Sequence, residues 1–126
     1  MTITDVRLND GPPVTTTDTG LVAASGFAVN DFRGYRCGRN IVLDMYLNRT
    51  GTTIAATTGN INDTQICTVP AGWRPTNGTI NGDWDDGTSS GGFVVGTDGI
   101  CTLRTASSDI TNNRNLRLHV GFIIDN

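Results

Sequence analysis

Residues 35–48 read YRCGRNIVLDMYLN, and this stretch decides the fold. Ile41, Leu43, Met45 and Leu47 recur at period two, with Val42, Asp44, Tyr46 and Asn48 on the opposite face, which is the alternation of a strand with one face buried. Gly38-Arg39-Asn40 supplies a turn, so Tyr35 to Cys37 returns as the partner strand of a hairpin. The last strand repeats the pattern. In LRLHVGFII (116–124), Leu116, Leu118, Val120, Phe122 and Ile124 share one face against Arg117, His119, Gly121 and Ile123.

Outward from these two strands the chain keeps β character. Leu21, Ala23, Ser25, Phe27 and Val29 lie on one face, with Asn30-Asp31 as a turn signal. Shorter strands are expected at Thr53 to Thr57, Thr64 to Val69, Gly78 to Gly82, Gly92 to Gly96 and Ile100 to Thr105, with Gly, Pro and Asn breakers between most of them. Composition agrees. The chain holds 20 Thr, 10 Ile and 9 Val but neither Lys nor Glu, and its 12 Asp, 12 Asn and 16 Gly favour turns over helix surfaces. The expectation is a single all-β domain of 126 residues, an antiparallel, jelly-roll-like β-sandwich of about seven to nine strands.

Residues 1–20 are polar apart from a brief alternation at Ile3, Val6 and Leu8, and are expected to form an attachment arm ahead of a head at residues 21–126. The formal charge of −3 offers no basic excess for a phosphate backbone or an anionic membrane, so neither nucleic acid nor membrane insertion is expected. The opening residues lack the basic and apolar regions of a signal peptide. Cys37, Cys67 and Cys101 are odd in number and widely spaced, which points to free thiols on strands. With His119 they offer zinc-ligand chemistry, but not the short knuckle spacing that structural zinc requires, so no metal or cofactor is expected.

Two segments stand out as candidate sites. VPAGWRP (69–75) is a structural corner: Pro70 and Pro75 remove amide donors, Gly72 turns, Trp73 packs over the bend, and Arg74, held extended before Pro75, aims along the surface toward a carboxylate or a neighbouring subunit. The run NGDWDDGTSSGG (81–92) places Asp83, Asp85 and Asp86 around Trp84. Three readings are open: a sugar site in which Trp84 stacks and the carboxylates accept hydroxyl protons, a calcium loop, or a solvated turn with Trp84 folded onto the core. The EF-hand spacing fails, because Val94 stands at the twelfth position from Asp83. No Gly-x-Ser-x-Gly elbow or phosphate loop is present, and the single His has no evident acid-base partner, so an enzyme is not expected.

The succession YRCGRNIVLDMYL, ICTVPAGWRP, FVVGTDGICTL and LRLHVGFII, covering about residues 21–126, resembles the distal head domain of tailed-bacteriophage tail fibres and minor tail proteins. That resemblance implies a virion protein with a β-sandwich head, a homotrimer at the end of an appendage that contacts the host surface, assembled in the host cytoplasm and attached to other virion proteins through residues 1–20. Only about twenty residues precede the head and no long shaft is expected. That feature keeps a second virion role open, a capsid decoration protein with no receptor function. Val42, Tyr46, Phe93 and Ile123 are expected to supply apolar trimer surface.

Overall fold

A computed structural model describes residues 13–125. Among the described residues there are nine strands and no helix: β1 (Thr15–Thr17), β2 (Val22–Ala23), β3 (Phe27–Cys37), β4 (Asn40–Arg49), β5 (Asn60–Thr68), β6 (Ile80–Asp85), β7 (Ser90–Val95), β8 (Ile100–Thr105) and β9 (Asn115–Ile123). All are antiparallel and hydrogen-bonded into one sheet of order β1-β3-β4-β9-β6-β7-β8-β5-β2. The all-β antiparallel expectation holds. Two separate facing sheets do not appear among the described residues; one continuous sheet curls about its core as a half-barrel. The reason is local. β6 pairs with β9 on one side and β7 on the other, so the ladder runs unbroken where a sandwich would divide.

The hairpin at residues 35–48 forms as its sequence dictates, with Cys37 opposite Asn40 around Gly38, whose φ is +61°. Ile41, Leu43, Met45 and Leu47 point inward and are almost fully buried, as are Leu116, Leu118, Val120 and Phe122 of β9. These two strands pair along nine residues, from Asn40 opposite Ile123 to Asn48 opposite Asn115. Phe32, Trp84, Phe93, Val95, Leu103, Ile66 and Ile110 complete one core.

Residues 21–29 are not one strand. Val22 and Ala23 belong to the β5 end of the sheet, the chain turns at Ala24 to Phe27 (Phe27 N donates to Ala24 O, 3.1 Å) and β3 begins at the opposite end. Gly26 takes φ +85° there, and its missing side chain leaves room for the buried Arg49 guanidinium. Arg49 donates to the carbonyls of Thr52 (2.9 Å) and Gly26 (3.4 Å) and sits 4.8 Å from the Phe27 ring centre. Burial lowers its pKa.

Asn30-Asp31, read as a turn, is instead a bulge within β3. The extra residue shifts the alternation, so Phe32 enters the core opposite Met45 and Asp31 faces outward opposite Tyr46, while Val29, ahead of the bulge and opposite Leu47, stays 39% exposed. Residues 53–57 contribute only isolated bridges, Ile54 to Ile110 and Thr57 to Asn60. Thr15–Thr17, placed in the arm by its composition, is an edge strand on β3, while Ile3, Val6 and Leu8 lie outside the described residues. Cys67 and Cys101 face one another across β5 and β8, buried and free, and Cys37 is half-buried and free. A hydrogen bond to Cys101, with burial, pushes the Cys67 thiol well above its usual value.

Candidate functional site

The VPAGWRP segment forms a corner. Trp73 N donates to Pro70 O (3.2 Å) across a turn in which Gly72 has φ +91°. Trp73 is half-buried and lies over Gly34 of β3, where a Cβ would press against its ring. Pro75 is buried. Arg74 departs from its expected role: its Nε turns back onto Val69 O at 2.7 Å, over Gly99, so it braces the corner and does not seek a carboxylate. Val69 N donates to Gly99 O (2.8 Å), but the Gly99 amide turns to Gly96 O (2.9 Å) and does not return the bond, so the Val69 carbonyl accepts the guanidinium.

The Asp83 to Gly92 segment is a hairpin and not an adaptable loop. Trp84 is 2% exposed, on the inner face of β6, and its indole Nε1 donates to Thr105 O at 3.0 Å. It offers no ring face to a ligand, and the sugar-stacking role expected for it is corrected on that ground. The large apolar ring gains more from the core, and its one polar atom finds a carbonyl there. Gly91, directly opposite on β7, makes the space: a Cβ would strike the Thr105 carbonyl and the indole nitrogen. Gly82 stands likewise under the Phe93 ring. Phe93 is thereby 1% exposed and supplies no trimer surface.

The three carboxylates separate by strand parity. Asp86 folds into the turn with its side chain fully buried. Its Oδ1 accepts the amides of Thr88 (3.0 Å) and Ser89 (2.6 Å), and its Oδ2 accepts Ser89 Oγ (2.7 Å) and Arg114 Nη1 (2.8 Å). Burial alone would raise its pKa, but the hydrogen bonds from the side chain and amide of Ser89, from Thr88 and from Arg114 outweigh it and bring the carboxyl to about 2. Every lone pair is engaged within the protein, so Asp86 is a staple between the hairpin and the chain entering β9. Because its folded pKa lies below the ordinary 3.8, its stabilisation is complete above that value. It is lost as pH falls from about 3.8 to about 2, a change on the order of 2 kcal/mol. Acid titration of thermal stability should show this fall, and Asp86→Asn should flatten it.

Asp83 and Asp85 point outward, and there the register assembles a site from residues far apart in sequence. One row across the outer face runs Asp31 (β3), Tyr46 (β4), Arg117 (β9) and Asp85 (β6); the next runs Arg33, Asp44, His119 and Asp83. They line a groove of about 810 Å³, with Ser90 and Gly91 at its β7 rim. His119 Nδ1 lies 2.6 Å from Asp44 Oδ1, Arg33 Nε lies 3.5 Å from Asp31 Oδ1, and the Arg117 guanidinium sits 4.7 Å from the centre of the Tyr46 ring. Among the described residues Asp85 Oδ1 accepts only the Gly87 amide (3.1 Å), and Asp83 has no hydrogen-bond or ion-pair partner.

The arrangement offers a concave polar surface with one half-buried aromatic ring, four carboxylates and three basic side chains. Such a surface suits a polyhydroxylated ligand, whose hydroxyls donate to carboxylates and accept from guanidinium and imidazole. Ser90 stands one row and two strands from His119, so serine, histidine and aspartate do not converge as a nucleophilic triad. Among the described residues no group of three or more His, Cys, Asp or Glu side chains is placed to hold a metal ion.

Asp31, Arg33, Asp44 and Arg117 were not singled out by sequence; Tyr46 was expected at a trimer surface and His119 only beside the cysteines, and the structure places both in this groove. The usable signal was the outward parity of β4 and β9, each polar at alternate positions, but only the pairing of Asp44 with His119, 75 residues apart, joins them. No protein-family model matches the chain, and no curated protein resembles it in sequence at a significant level.

Proposed function

We propose that this chain is the recognition head of a tailed-phage appendage, and that it binds a host-surface glycan in the groove across β3, β4, β9 and β6. The observation that carries the binding role is the groove itself, in which eight outward side chains from four strands converge around Tyr46. The virion assignment rests on the resemblance of the four sequence blocks. Three of them supply the β3-β4 hairpin, the β7-β8 hairpin and β9, the elements that shape the sheet, and the fourth supplies the proline corner.

The head acts as a homotrimer in this reading. Tyr35 and Ile123 expose 39% and 65% of their surface beside the half-buried Val42, an apolar area on the same outer face but beyond the charged rows. Light scattering should return three times the 13.4 kDa chain mass; a stable monomer rejects the trimer.

Binding to a glycan panel tests the groove. Tyr46→Ala should weaken binding by about 1 to 3 kcal/mol while leaving thermal stability nearly unchanged, since the ring is half-buried on the solvent face. Antibody labelling of virions locates the protein. Label at the tail tip supports the appendage, whereas label over the capsid, with no glycan bound, assigns the decoration role.

A further inference from the structure

The groove is electrically lopsided. On its β3 and β4 side each carboxylate has a basic side chain beside it, Asp31 with Arg33 and Asp44 with His119. On its β6 wall the two nearest basic groups are turned away. His119 stands directly opposite Asp83 in the ladder yet bonds Asp44. Arg117 stands opposite Asp85 yet lies over Tyr46. Among the described residues Asp83 is therefore unpaired and Asp85 holds only a backbone amide, on a strand backed by the buried Trp84 that fixes their spacing.

We propose that this wall selects a primary ammonium on the ligand, so that the groove reads an aminosugar with a free amine in preference to its N-acetylated form. The proposal rests on the glycan-binding reading above and adds its chemical class. A protonated amine is a compact donor of three hydrogen bonds and meets two carboxylates held on alternate residues of one strand. The sugar ring then extends along Tyr46 beside the Arg117 guanidinium, with its hydroxyls reaching Asp44 and Arg33 at the far side. An N-acetyl group removes the charge and one or more of those donors, and leaves Asp83 desolvated without a partner.

Calorimetry with the full chain, at about pH 6 where an amine is protonated, compares a β-1,4-linked glucosamine tetramer with the N-acetylglucosamine tetramer. The expected result is roughly tenfold tighter binding of the free amine, weakening with salt. Asp83→Asn with Asp85→Asn should abolish the difference and leave the melting temperature unchanged, since both side chains are exposed and asparagine keeps the acceptor for Gly87. Tyr46→Ala should weaken both ligands. Equal binding of the two tetramers, or a preference that survives the double variant, overturns the ammonium inference while the glycan site stands if Tyr46→Ala still weakens binding. Binding of neither tetramer overturns the inference, and failure across the whole glycan panel overturns the site. Preference for a lysine-rich peptide over the glucosamine tetramer also overturns it.

Discussion

Trp84→Ala should lower stability by about 3 to 5 kcal/mol, a fall in Tm of about 10 to 20 °C, with no loss of glycan binding beyond that due to unfolding. The ring is the largest fully buried side chain, and its removal both empties the space over Gly91 and leaves Thr105 O without its donor. Denaturant unfolding measures the first effect, and calorimetry with glycan, run well below the melting transition, measures the second. Stability unchanged with binding lost would place Trp84 at the ligand and reject the buried position.

A comparable loss is expected from adding a single methyl group nearby. Gly91→Ala should cost about 3 kcal/mol or more, at the upper end of overpacking penalties. The new Cβ points at backbone, the Thr105 carbonyl, and not at a flexible side chain that could swing aside. β7 would have to move away from β8, and the indole would have to shift as well. Gly92→Ala is the control: its Cβ would meet Thr105 Oγ1 at 3.4 Å, and the cost should be small. Equal melting temperatures for the two variants would refute the packing of Trp84 across Gly91.

Parity carried the sequence reading where strands are regular and failed where they are not. β4, β8 and β9 were legible because each buries alternate residues without interruption. Of β5 only the half from Thr64 was legible; the register shift between Asn60 and Thr64 hid its start, and a second shift puts Ile66 and Cys67 side by side in the core, against the period that a reader would count. The bulge at Asn30 hid half of β3 in the same way. Trp84 was ambiguous because flanking aspartates signal solvent, although at period two they signal only that the residue between them points the other way. The groove was invisible for a different reason. Its outward residues are individually ordinary, and only pairings between β3, β4, β9 and β6 bring them together.

The two rims of the curled sheet also bear on how this chain avoids its own copies. Among the described residues β1 covers only Gly34 to Arg36 of β3, and β2 only Cys67 and Thr68 of β5, so much of each flanking strand has no further ladder partner among them. On β3 the uncovered length carries the Asn30 bulge, and Asp31 Oδ1 takes the Phe32 amide at 2.9 Å. On β5 it carries both register shifts. A foreign strand finds no straight row of donors and acceptors to extend, which discourages edge-to-edge growth into fibrils. The trimer proposed above would then form through side-chain surfaces, where geometry can limit it to a closed ring.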